Sequence, residues 1–288
     1  MKFPTTATLA GLMLMLSLPG WAAPAIEASA SSETSKKLLD PHHASWQKQP
    51  ECSVQMLPQN IAIPNLKKPI FQELKVRGAI SEGWLLLRLE WQDNTRDAEV
   101  TRGEFTDACA VELPIKGNAQ DTSPFMGNPG KPVQLIHWKA IWQDDIEKGY
   151  RDVEHAYPNH YYDYYPLAKG KKAEDISGAA LLWNPARRLK NPVSETRRSQ
   201  PVEELIAEGF GSSTTQKQND SKARGVHKEG RWSVVIARPL QTNDGSDAPL
   251  KKGSTVPVAF ALWDGATGNR GARKHYAMWV DLKLGGGK

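Results

Sequence analysis

The chain has 288 residues, 39% of them hydrophobic and 24% charged, with a formal net charge of +5. That length suffices to bury a core and a pocket in one β-rich domain. Its cations are scattered among acidic residues, as around Arg187-Arg188 and Arg197-Arg198, which argues against the concentrated basic face of a nucleic-acid reader.

Lys2, the apolar run Ala7 to Leu18 and then Pro19-Gly20-Trp21-Ala22-Ala23 have the order of a cleaved secretory signal, residues 1–23. The run is shorter than the ~20 residues a bilayer requires, and no later segment is apolar enough to span a membrane. Export by the general secretion route, to the periplasm, is the expectation. Residues 24–41 are rich in Ala, Ser, Glu and Lys and read as a flexible lead-in. Residues 42–288 then form a single domain, with no internal repeat and no break in composition.

Strand signals dominate that domain. Leu74–Ile80 and Trp84–Trp91 flank Ser81-Glu82-Gly83 as a hairpin, with Leu85, Leu87, Leu89 and Trp91 on one face and Arg88 and Glu90 on the other. Further strands are expected at Ala108–Leu113 and Pro132–Trp138. A second hairpin, Gly225–Ala237, turns at Lys228-Glu229-Gly230, and a last pair comprises Val256–Leu262 and His275–Leu284. Between Ile141 and Ser221 the pattern becomes irregular and aromatic. Its one helix candidate is Pro201–Glu208, which opens on proline and carboxylates and stops at Gly209. Gly211–Lys222 reads as a loop tip. The expected fold is mainly β, an antiparallel β-sandwich with a few short helices and a long irregular insertion.

Chemistry-bearing residues are few. Cys52 and Cys109 are the only cysteines; an oxidising compartment favours pairing, but spacing alone leaves the pairing open. Neither C-x-x-C nor C-x-x-C-H is present. After the signal only Met56, Met126 and Met278 supply thioethers. Met126 sits in a turn between Pro124 and Gly127-Asn-Pro-Gly130, placed either to fill core space or to present sulfur over a pocket. His137 and Trp138 alternate, so one of them faces the core. His155 and His160 lie in an aromatic stretch without metal-ligand spacing.

Two stretches, Pro124–Ala140 and Val256–Trp279, resemble the haem b-binding gamma subunit of ethylbenzene dehydrogenase and its relatives in dimethylsulfide dehydrogenase and in selenate and chlorate reductases. Ser199–Gly211 and Gly230–Leu240 extend the likeness in the same order. The resemblance implies a non-covalent haem b, consistent with the missing C-x-x-C-H, with Met126 and Lys274 as axial ligands of the iron. The likeness makes Trp138 a candidate pocket wall, and Phe260 and Trp263 of the strand before Lys274 flank that lysine as the apolar groups able to desolvate its amine, so Phe260 is expected at the cofactor. A lysine ligand must lose a proton held with an ordinary pKa near 10.4, which demands burial and the metal's own competition. His275, the next residue, is the competing ligand, although strand alternation aims the two apart. The implied role is electron transfer, with no catalysis of its own, between the iron–sulfur and molybdenum subunits of a periplasmic oxidoreductase and a soluble carrier such as a c-type cytochrome. Cys109, the basic linker Arg187–Arg198 and the long lead-in depart from the pattern and leave the partner enzyme's substrate open.

Two other classes remain for comparison. Ten tryptophans could build the aromatic platform of a secreted carbohydrate-binding β-sandwich without haem. A hydrolase is poorly supported, because no G-x-S-x-G, H-E-x-x-H or phosphate loop occurs.

Overall fold

The computed structural model describes residues 25–99, 101–151, 153–157 and 198–285. The expected signal segment, His160 and the basic linker up to Arg197 lie outside the described residues. Fourteen strands run through the rest. In chain order they are β1 (Ala25–Ala30), β2 (Glu51–Gln55), β3 (Leu57–Pro58), β4 (Glu73–Ser81), β5 (Trp84–Gln92), β6 (Ala108–Pro114) and β7 (Val133–Lys139). They continue as β8 (Val202–Ala207), β9 (Thr214–Thr215), β10 (Lys222–Lys228), β11 (Arg231–Pro239), β12 (Thr255–Trp263), β13 (His275–Tyr276) and β14 (Val280–Leu284). Helices are short: α1 (Ser35–Leu38), α2 (Ala140–Glu147) and α3 (Val153–Ala156).

The strands form two layers joined by one long strand. Thr255–Val258 of β12 pair with β14, whereas Ala259–Trp263 pair with β6. The first layer runs β10-β11-β5-β4-β1-β14-β12, and the second β12-β6-β7-β8-β9. Their inner faces meet in one core that includes Leu85, Leu87, Leu89 and Trp91 of β5, the alternating set expected from the sequence. Trp138 of β7 packs edge-on against Trp232 of β11, with centroids 5.1 Å apart. The mainly β sandwich with short helices is therefore the architecture present.

Three local expectations need correction. The lead-in is ordered where it is described: β1 inserts parallel between β14 and β4, and α1 buries Leu38. Low strand propensity there is overridden by pairing along both edges, and β1 also makes the sheet mixed rather than wholly antiparallel. The helix candidate Pro201–Glu208 is instead strand β8, bonded to β7 and β9. The last strand is interrupted, because β13 and β14 are separated by Ala277-Met278-Trp279. Cys52 and Cys109 are buried free thiols in the core.

Candidate functional site

The site lies on the outer face of the second layer. On β6, Ala108, Ala110 and Glu112 alternate outward while Cys109, Val111 and Leu113 join the core. Ala110 is paired with Ala261 of β12 on one side and with His137 of β7 on the other. Two facing alanines leave a shallow trough where larger side chains would fill the space. Above it opens a cavity of about 420 Å3 bordered by Met126, Lys274, Glu112, Phe260 and Trp263, with Ile63 and Phe210 at its margin. Ile63 is 93% exposed and Phe210 52% exposed, so apolar groups face solvent around the opening.

Met126 is delivered by a constrained turn. Its φ of 69° is in the left-handed region, uncommon for a residue with a side chain. Three contacts hold it: Gly127 N–H donates to the Ser123 carbonyl at 3.1 Å, Gly209 N–H donates to the Met126 carbonyl at 2.7 Å, and Met126 N–H donates to Glu112 Oε2 at 3.4 Å. Trp279 does not border the cavity; its Nε1 donates to the Thr122 carbonyl at 2.7 Å and fixes the start of the same loop. Of the other thioethers, Met56 is in the core and Met278 is 51% exposed away from the cavity.

Lys274 enters from the opposite segment, just before β13. Its Nζ lies 5.2 Å from the centre of the Trp263 ring. Burial lowers its pKa below the usual lysine value, and nearby Glu112 opposes that shift. Glu112 is itself pushed up to about 7, chiefly by burial, with Lys274 and two backbone N–H groups pulling the other way. Glu112 Oε1 has no hydrogen-bond partner among the described residues. The amine therefore occupies a setting that favours surrendering its proton.

His275 points away, as strand alternation requires. It is fully buried, and its Nε2 accepts from the N–H groups of Ile70 at 2.8 Å and Phe71 at 3.2 Å. That lone pair is engaged and Nδ1 must carry the proton, so His275 has no free donor for iron. Its pKa falls to about 4 through burial.

Trp138 corrects a further expectation. It is fully buried on the core side and donates through Nε1 toward Gln143, so it is no wall of the cavity. His137 takes that place, 4.8 Å from Trp263 and 5.8 Å from Trp142 between ring centroids. Phe260 does border the cavity while buried in the core. Sequence reasoning missed the Ala110–Ala261 trough and Glu112. The alternation of β6 was visible, but which strand would stand opposite it was not.

A larger cleft of about 570 Å3 is lined by Lys75, Glu90, Asp93, Arg231 and Asp264 among others. Neither Met126 nor Lys274 reaches it, and its charged walls suit an apolar macrocycle poorly. The smaller cavity is the one whose donors fit a haem: a soft thioether and a burial-depressed amine bordering one apolar space.

Comparison with known proteins places the chain among haem-subunit relatives by sequence. The chlorate reductase gamma subunit of Ideonella dechloratans is 27% identical over 249 residues, spanning 85% of this chain and 79% of that one. A Haloferax mediterranei protein that carries the name of a respiratory nitrate reductase haem subunit is 24% identical over 248 residues, spanning 86% and 68%. Among solved structures, a family 9 carbohydrate-binding module from Caldicellulosiruptor kristjanssonii aligns over 92% of this chain and 97% of that one at 10% identity, with a TM-score of 0.37, too slight a likeness to bear on function. The sequence pattern described as ethylbenzene dehydrogenase matches residues 43–275, and the chain belongs to that family.

Proposed function

We propose that the protein is a periplasmic b-type cytochrome subunit that carries electrons for a molybdenum oxidoreductase and performs no catalysis itself. The observation that carries this reading is the placement of Met126 and Lys274 on one apolar cavity above an alanine floor. The names of its relatives, a gamma subunit and a haem subunit, support the same role. When bound, haem supplies a one-electron ferric–ferrous couple. Met126 and Lys274 would hold the iron, and the constrained turn at Met126 limits how far the sulfur can retreat. Trp263 and Phe260 exclude water, and low polarity around a haem is one of the ways a protein sets its potential. Electrons would pass between an iron–sulfur partner and a soluble carrier such as a c-type cytochrome. Among the described residues no helix is long and apolar enough to cross a membrane.

The test is an absorption spectrum of the purified protein, oxidised and dithionite-reduced, for wild type, Met126→Ala and Lys274→Ala. A low-spin b-type spectrum is expected, with little uptake of carbon monoxide by the ferrous form and with both substitutions disturbing the bands. Wild type produced with haem available yet lacking a Soret band would sink the reading. Among the described residues Trp46, Trp91, Trp138 and Trp232 are fully buried and cannot serve as a sugar platform, which weighs against the carbohydrate-binding alternative.

A further inference from the structure

A second cavity, of about 310 Å3, adjoins the first and shares His137, Trp263 and Gly271 with it. The strands explain the continuity. Along β7, Leu135, His137 and Lys139 share the outer face; Leu135 borders the first cavity, His137 both, and Lys139 the second. Along β6 the same step leads from Ala110 to Ala108, which is paired with both Trp263 and Lys139. The turn after β12 then brings Arg270 to the second cavity. One trough thus changes character along its length, from an apolar end with Met126 and Lys274 to an end carrying two cations.

Those cations are held but not neutralised. Lys139 Nζ lies 4.5 Å from the Trp142 ring centre, and the Arg270 guanidinium carbon 4.2 Å from that of Phe105. Neither makes an ion pair with a carboxylate among the described residues. Burial lowers the pKa of Lys139, partly offset by Glu203 at longer range. Keeping a partly desolvated ammonium without a close counter-charge is costly, and an anion bound in this cavity would offset that cost. Haem b has that chemistry, with two propionate carboxylates at one edge of an otherwise apolar ring.

We propose that Lys139 and Arg270 form the carboxylate-binding end of the trough, where they pair with the haem propionates and so fix which edge of the macrocycle faces the second cavity. The assignment rests on the haem-binding reading above. Arg270 supplies a fork suited to carboxylate oxygens and Lys139 a point charge.

The haem-depleted full chain is titrated with ferric haem b and with its dimethyl ester, which lacks both charges. Wild type is expected to bind haem at least about tenfold more tightly than the ester, as for a charge-assisted contact. Lys139→Gln and Arg270→Gln should each weaken haem by roughly tenfold and leave the ester affinity unchanged, with Lys139→Arg restoring the preference. Equal affinity of wild type for both compounds overturns the assignment while leaving haem binding intact, and needs no variant to fold. Variants that lose haem and ester alike also overturn it. A wild type that binds neither overturns this assignment and the cytochrome reading together.

Discussion

Ala261 shows how a single methyl group decides what the outer face can hold. It stands opposite Ala110, is 7% exposed and borders the cavity beside Lys274. A phenylalanine there would project into the trough rather than into the packed core, since the core neighbours on β12 are Phe260 and Leu262. Ala261→Phe is therefore expected to fold, with its melting temperature within a few degrees of wild type, and to lose most haem uptake in a Soret titration. Uptake equal to wild type would show that the trough is not the haem site. At this scale the sequence was informative wherever one strand sufficed. Alternation alone separates Lys274 from His275, and the structure places them on opposite faces. It could not say which of His137 and Trp138 turns inward, because that depends on the layer across from β7. There Gly225 and Trp232 leave room for an indole, so Trp138 goes to the core and His137 to the cavity.

The contact between Gly225 and Trp138 ties the two layers together. A Cβ built on Gly225 would fall 2.3 Å from Trp138 Cζ2 and 2.9 Å from two further ring atoms, well inside van der Waals contact. The ring cannot easily retreat, as it is fully buried and packed on Trp232. Gly225→Ala is expected to cost about 1–3 kcal/mol by overpacking, read as a lower urea midpoint. Haem ligation should persist in the folded fraction, because this contact is on the face of β7 away from the cavity. A stability unchanged from wild type would contradict the packing. Elements defined by strong alternation, such as β5 and β11, were legible from sequence. β8 was not: proline, carboxylates and a following glycine imitate a helix. In the structure those carboxylates are buried strand residues with partners from distant sequence. Glu204 Oε2 accepts from Asp220 N–H at 3.0 Å, and Glu203 Oε1 accepts from Thr215 Oγ1 at 2.5 Å. Local propensity yields to such pairing, just as it does for β1.

For the molecule as a whole, one pH-dependent contribution to stability comes from buried acids at one end of the sandwich. Asp93 follows β5, Asp107 precedes β6 and Asp264 follows β12, and all three are buried with carboxylate oxygens within 4.8 Å of one another. Burial raises Asp107 to about 7, with Asp93 adding to the rise while three hydrogen bonds oppose it. Burial also raises Asp93 to about 6, with Asp264 contributing in the same sense. The unfolded chain releases these protons near pH 4, whereas the folded one keeps them until about 6 and 7. Between those limits the folded state binds more protons, so the contribution to stability is complete below pH 4 and is lost as pH rises through 6 to 7. His275 acts in the opposite direction: with its pKa at about 4, it stays neutral when folded, and its contribution grows as pH rises from about 4 to 6.5. The two trends partly cancel in acid, so the difference between wild type and Asp93→Asn isolates the carboxylates. An asparagine preserves the Oδ1 that accepts from Thr95 N–H at 3.2 Å and removes one titrating charge. Wild type should lose on the order of 1–2 kcal/mol, a few degrees in melting temperature, between pH 5 and pH 8 relative to Asp93→Asn. Parallel melting curves for the two proteins across that range would mean that Asp93 titrates near its ordinary value, and that the three carboxylates are far better solvated than their burial implies.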